Sequence, residues 1–170
     1  MTDVPANGTT NTTLDRPDII VFPPVIPLST LAISCVLQWL APLGLIDGID
    51  QTWRIGWGVI MFSAGMLMTI VGRRTLLRHG TNVNPLRPTT ALVTEGIFRR
   101  TRNPLYVGII ITQYAVALIF ALDWLLLLIL PNWIVLHFAV VTREERYLER
   151  KFGDAYRRYK ERVPRYLLGN

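Results

Sequence analysis

Four long stretches without a charged side chain divide this 170-residue chain: Ile19 to Ile46, Ile55 to Gly72, Pro104 to Leu122 and Trp124 to Thr142. Each meets or exceeds the roughly 18 residues that mark a candidate membrane-spanning helix. Inside hydrocarbon every backbone N–H and C=O needs a partner within the protein, so a spanning segment is either a helix or part of a closed barrel. None of the four alternates apolar and polar residues with period two, which argues against a barrel. The sequence therefore predicts an all-α integral membrane protein with about four transmembrane helices, over roughly 25–45, 54–72, 104–122 and 124–142. Composition agrees. Hydrophobic residues make up 51% and charged residues only 18%, against about 25% charge in a soluble domain.

The basic residues orient the spans. With four crossings, the N-terminal tail, the 73–103 segment and the 143–170 tail share one side, and they hold every Lys and Arg except Arg54. So strong an asymmetry places both termini and the 73–103 loop in the cytoplasm. The formal charge of +6 then belongs to a membrane-facing surface that attracts anionic headgroups. That placement argues for a lipid bilayer as partner and against nucleic acid.

Residues 1–18, rich in Thr and Asn, read as a disordered tail ahead of a single membrane domain over 19–170. The tail lacks the basic start and short apolar core of a secretory leader, so no cleavage is expected. Cys35 is the one cysteine. An intrachain disulfide and a cysteine metal cluster are thereby excluded, and packing is its expected role. With two His and no carboxylate at ligand spacing, no metal site is expected. Pro23, Pro24 and Pro27 fit the opening turn of a first helix beginning near Pro27. Gly58, Gly65 and Gly72 recur every seven residues and mark a stripe along which a second helix can approach closely. Pro131 should kink the fourth span. Asn132 and His137 are its polar interruptions, and His137 reads equally as a packing residue or a proton relay.

Only Asp123 and its neighbours separate the third and fourth spans, so these form a tight antiparallel hairpin. The hairpin returns Thr142 to the depth of Pro104 and makes two polar clusters neighbours. The first is Arg99-Arg100-Thr101-Arg102-Asn103-Pro104-Leu105-Tyr106-Val107-Gly108, and the second is Arg143-Glu144-Glu145-Arg146-Tyr147-Leu148. Asn103-Pro104 is a helix-start signal, with asparagine as cap and proline at the first helical position. A free helix N-terminus beside Arg102 is also an anion site. Tyr106, three residues past Asn103, shares its face. Thr142-Arg143-Glu144-Glu145 matches a capping box, and one of the two glutamates is expected to face a cationic ligand group. From 143 to 162 the apolar residues recur at helical spacing, predicting a cytoplasmic C-terminal amphipathic helix. The intervening loop is long and turn-rich, which suits an ordered lid.

Taken in order, Gly80-Thr81, Asn84-Pro85, Leu92-Val93-Thr94-Glu95-Gly96-Ile97-Phe98, Arg102-Asn103-Pro104-Leu105-Tyr106-Val107-Gly108, Glu144-Glu145, Phe152-Gly153, Tyr156, Tyr159 and Val163-Pro164-Arg165 resemble a known pattern. It is that of the membrane methyltransferases grouped around isoprenylcysteine carboxyl methyltransferase and phosphatidylethanolamine N-methyltransferase. The resemblance covers about 75–168. It implies methyl transfer from S-adenosylmethionine to a lipophilic acceptor entering from the bilayer. It also implies that Gly96, Arg102, Asn103, Pro104, Tyr106 and Gly108 form one wall of the cofactor pocket. Glu144 and Glu145 form another, one of them binding the cofactor's amino group, and Tyr156, Tyr159 and Arg165 close it. The resemblance assigns no catalytic residue; Asn103 and Glu145 are candidates for that role. The carboxyl methyltransferases typically carry His where this chain has Asn103, whereas Asn occurs there in phospholipid-methylating relatives. The acceptor is thus open between a prenylated carboxylate and an amine headgroup. The alternatives are a nicotinamide-dependent reductase of the related sterol-reducing fold and a non-catalytic small membrane protein. The resemblance is compatible with an inner, plasma or endoplasmic-reticulum membrane.

Overall fold

The computed structural model describes residues 15–167, and among them every regular element is helical. The expected tail over 1–18 lies outside the described residues except for its last four. Helix α1 spans Val25–Leu40, two residues earlier than Pro27 suggests, with that proline still in the first turn where it is tolerated. Helix α2 runs from Gln51 to Arg78, and the Asp50 carboxylate caps it by accepting from the Thr52 and Trp53 amides at 2.9 and 3.3 Å. Helix α3 covers Pro104–Phe120 and α4 covers Asp123–Leu136. A π-helical turn, His137–Val141, leads without a break into α5, Thr142–Phe152. After Gly153 comes α6, Asp154–Arg162.

Two helical stretches are long and apolar enough to cross a membrane: α2 and the continuous run Asp123–Phe152. Helices α1 and α3 are apolar but shorter, at 16 and 17 residues. Helix α4 passes through Pro131 and continues. The capping box expected at Thr142 does not form. Val141 is already helical, and the Thr142 hydroxyl donates to the Phe138 carbonyl at 3.2 Å within the same helix. A chain that has not left the helix presents no orphan amides for a cap to satisfy. The one helix expected over 143–162 is two, because Gly153 takes a φ of +54° that an L-residue resists.

The stripe Gly58, Gly65 and Gly72 is buried against α3, as its spacing predicts. The α2 and α3 backbones meet most closely at Gly65 and Gly108. A Cβ on either would stand 2.7 Å from the other's carbonyl oxygen. At one end of the bundle the Asp123 carboxylate, 2% exposed, accepts hydrogen bonds from Gln38 Nε2 and the amides of Leu43, Gly44 and Ile46. It thereby pins the α1–α2 connection to the α3–α4 turn. Midway along, Asn132 donates to Gln113 at 2.8 Å and accepts from Thr30 at 3.1 Å, joining α4, α3 and α1 by interhelical side-chain hydrogen bonds. At the other end the charged clusters converge.

Candidate active site

Thr101 organises the charged end. It is fully buried, accepts from the Asn103 amide at 3.2 Å and donates to the Arg165 carbonyl at 3.0 Å. Asn103 does precede α3, with Pro104 at the first helical position, but its side chain makes no capping bond. Its side-chain amide donates instead to the Arg165 carbonyl at 3.1 Å. The Arg102 backbone amide donates to the Pro164 carbonyl at 3.0 Å. The 101–103 segment therefore grips 164–165, and both guanidinium groups are delivered to one place. Tyr159, on α6, donates to the Phe98 carbonyl at 2.8 Å and packs with Tyr156 and Val163 against Leu92, Leu148 and Phe152.

The meeting point is Glu145. One carboxylate oxygen accepts from Arg165 Nη2 at 2.7 Å and Nε at 3.1 Å; the other lies 3.3 Å from Arg102 Nη1. The side chains of Arg102 and Glu145 are each 7% exposed. The arrangement is nonetheless incomplete: Arg102 Nε and Nη1 and Glu145 Oε1 are buried with no hydrogen-bond partner among the described residues. Beside them the Tyr106 hydroxyl donates to Glu144 at 2.9 Å. Desolvation lifts the Glu144 carboxyl from its ordinary range to about 7, against the lowering effect of the Tyr106 bond.

These groups line one cleft, with Arg102, Asn103, Pro104 and Tyr106 on one side, Glu144 and Glu145 on another, and Tyr156, Tyr159 and Phe98 closing it. Both glutamates face it, where only one was expected. Successive side chains on a helix diverge by about 100°, and the cleft wraps far enough around α5 for Glu145 to reach the arginines while Glu144 reaches Tyr106. Arg165 enters through its bond to Glu145. Gly108 and Gly96 lie off the cleft wall: Gly108 sits in the crossing with α2, and Gly96, at φ +58°, lies against Thr75. Sequence reasoning missed Thr101, whose only signal is its place inside the first cluster. It also missed Thr81, whose hydroxyl accepts from the Thr90 amide and folds the 80–90 loop over the cleft.

A second, apolar groove meets the cleft at Tyr106. Val107, Ile110, Ile111, Trp133, Leu136, Tyr166 and Leu167 form its remaining lining. Tyr106 thus lines both the cleft that holds the charged side chains and an apolar groove between α3 and α4.

Residues 53–155 match the family model described as "Phospholipid methyltransferase". The chain belongs to that family. It is 29% identical, over 76% of its own length and 67% of the relative's, to Protein-S-isoprenylcysteine O-methyltransferase B of Arabidopsis thaliana. A 27-residue segment is 67% identical to an uncharacterized protein of Haemophilus influenzae, covering 16% of this chain and 43% of that one. The resemblance read from the ordered motifs therefore stands, and methyl transfer is the activity that phospholipid methyltransferase membership supports. Such proteins are membrane-associated, in keeping with the two long apolar helices.

The raised Glu144 carboxyl has a measurable consequence. A carboxylic acid whose folded pKa is about 7, against 4.5 for an ordinary glutamate, opposes folding as it ionises. Its stabilising neutral form is fully present below the lower value and lost as pH rises through the upper one. Glu144→Gln, which still accepts from Tyr106, is therefore expected to melt with the wild type near pH 5. By pH 8 it should be more stable, by a margin on the order of 1–3 kcal/mol. Thermal unfolding of ligand-free protein in detergent across that range tests this; a constant difference between the two proteins would sink it.

Proposed function

We propose that the chain transfers a methyl group from S-adenosylmethionine to a lipophilic acceptor at the cytoplasmic face of the membrane. Residues 19–170 would act as one domain with four crossings, built on α1, α2, α3 and α4, and with both termini cytoplasmic. The basic residues at the charged end support that orientation.

One observation carries the reading. Arg102 Nη1 and Glu145 Oε1 stand 3.3 Å apart as a buried ion pair, yet neither atom, nor Arg102 Nε, makes a hydrogen bond among the described residues, and both side chains line one cleft. A buried ion pair whose hydrogen-bonding capacity is not filled is costly, and a ligand entering the cleft between its members can complete that bonding. A zwitterion does so: its ammonium suits Glu145 and its carboxylate suits Arg102. The residues present therefore fit the amino-acid end of S-adenosylmethionine. When bound, that cofactor supplies a methyl group on an electrophilic sulfonium.

The chain's own work is alignment. Arg102 and Glu145 fix orientation, Tyr156, Tyr159 and Phe98 exclude water, and Tyr106 joins the cleft to the apolar groove, from which an acceptor can approach. Holding two reactants in line is where most of the rate of such a transfer arises. Titration of the full chain in detergent with S-adenosylhomocysteine, and separately with NADPH, tests the proposal. Saturable binding of the first alone is expected. Binding of NADPH alone would turn the assignment to a reductase, and binding of neither by a folded sample would turn it to a non-catalytic protein.

A further inference from the structure

The segment ahead of α1 runs back along the π-helical turn and α5. Ile20 donates its amide to the Ala139 carbonyl at 3.2 Å, and Ile19 and Val21 pack on the cluster of Leu136, Ala139, Val140 and Val141. Arg143 Nη1 donates to the Asp18 carbonyl at 3.1 Å and lies 3.3 Å from its carboxylate. Farther along α5, the Asp15 carboxylate accepts from Lys151 Nζ at 2.6 and 2.7 Å and from the Tyr147 hydroxyl at 2.9 Å.

Tyr147 is where this segment meets the cleft. It is buried, and its neighbours Glu144, Glu145 and Leu148 line the cleft while it does not. Its hydroxyl donates to Asp15 and accepts twice, from Lys151 Nζ at 3.2 Å and from the Thr89 backbone amide at 3.1 Å. Thr89 belongs to the 80–90 loop, and with Thr81, Asn82 and Val83 of that loop it lines the cleft. The loop bonds chiefly to itself: Asn82 Nδ2 donates to the Pro88 carbonyl and Thr90 Oγ1 to the Gly80 carbonyl, each at 2.7 Å. Among the described residues, its hydrogen bond to any element other than α2 is the one from Thr89 to Tyr147.

We propose that residues 15–21 form a clasp, in which Asp15, acting through Tyr147, is a positioning residue that holds the 80–90 loop closed over the cofactor cleft. This rests on the methyltransferase reading. Hydrogen bonds in a chain polarise one another, so a hydroxyl that donates to a carboxylate becomes a better acceptor. Asp15 thereby strengthens a bond to Thr89 that it does not touch. The Asp15 and Lys151 side chains are 59% and 25% exposed, so salt screens the pair and loosens the clasp. The clasp touches the loop and not the ligand. It biases opening equally whether the cleft is empty or filled, and a bias common to both states shifts no binding equilibrium. What it sets is how often the cleft opens, and with that the rates at which cofactor enters and leaves.

The test follows S-adenosylhomocysteine binding to full-length protein in detergent by stopped flow. Tyr147→Phe keeps the ring beneath Lys151, whose Nζ lies 5.6 Å from its centroid, and loses only the hydroxyl. Both kon and koff should rise about fivefold, the worth of one ordinary hydrogen bond, with Kd held within about twofold. Asp15→Asn should move both rates the same way by a smaller factor. Added sodium chloride should raise both rates in the wild type, and less so in Asp15→Asn. Asp15 is exposed, so its variant decides the matter if Tyr147→Phe fails to fold. Rates equal to the wild type's in the variants would overturn the clasp. So would a rise in koff alone, with Kd rising in step, which marks a damaged α5 wall and not a freed loop. Either result leaves the methyltransferase reading standing. Failure of the wild type to bind S-adenosylhomocysteine would remove that reading and the clasp with it.

Discussion

Glu145→Gln is expected to raise the Kd for S-adenosylhomocysteine by two orders of magnitude or more, a loss of about 3 kcal/mol, in the range measured for truncating one partner of a buried charge pair. The carboxylate is 7% exposed on its side chain and is shared by Arg102 and Arg165. Removing its charge does two things at once. It deletes the acceptor proposed for a ligand ammonium, and it leaves the Arg102 guanidinium buried beside a neutral amide. Breaking a buried pair on one side destabilises by about 3–5 kcal/mol, so this variant should also melt early. Lost binding alone would then have two explanations.

A second variant separates them. In Glu145→Gln with Arg102→Gln, both buried charges are gone and the two amides can bond each other, while Arg165, 34% exposed on its side chain, can turn to solvent. Stability should largely return and binding should not. Glu149→Gln is the control on the same helix. Its carboxylate pairs with Lys160 at 2.8 Å in a partly exposed setting, where such pairs contribute roughly 0–1 kcal/mol, and binding should survive. If the double variant recovers affinity together with its melting temperature, Glu145 is a fold residue and the zwitterion site is wrong.

How far the sequence disclosed this site depends on the kind of signal each part left. The hairpin was legible because Asp123 leaves no room for a longer turn, and its consequence, Tyr106 reaching Glu144, is present in the structure. The glycine stripe was legible because a spacing of seven keeps one helical face. What periodicity cannot encode was not. Asn103 reads locally as a cap, but a carbonyl from residue 165 competes for its side-chain amide and wins. Thr142 reads locally as a helix start, but the preceding span stays helical through a π turn. The junction of the cleft with the apolar groove depends on where residues 163–167 fold back, a long-range contact held by Thr101, Arg102 and Asn103. In each case a residue with a clear local preference is overruled by a partner distant in sequence or by the continuity of a longer helix.

The second large effect is expected at Gly65. A Cβ there would lie 2.6 Å from Thr112 Oγ1, 2.7 Å from the Gly108 carbonyl oxygen and 2.9 Å from the Thr112 amide nitrogen. Two of these three are backbone atoms, which cannot swing aside, so even Gly65→Ala must push α3 from α2. Overpacking a tight core ordinarily costs about 1–3 kcal/mol, occasionally more. Here no water-driven force holds the helices together once separated, because lipid chains are as apolar as the side chains exposed by the separation. The displacement would also travel. Helix α3 begins at Pro104, directly after Arg102 and Asn103, so moving it changes the approach of Arg102 to Glu145. Gly65→Ala is therefore expected to lower both the melting temperature and the affinity for S-adenosylhomocysteine, and Gly65→Leu to prevent recovery of folded protein. Gly56→Ala is the counterpart on the same helix. Nothing lies within 4 Å of its added Cβ, and replacing a helical glycine by alanine gains roughly 0.8–1 kcal/mol in an exposed helix interior. Thermal unfolding of the two alanine variants side by side decides the matter. Opposite signs would establish the Gly65–Gly108 crossing as the contact that sets the site, whereas a Gly65→Ala protein as stable as Gly56→Ala would mean the two helices are free to separate.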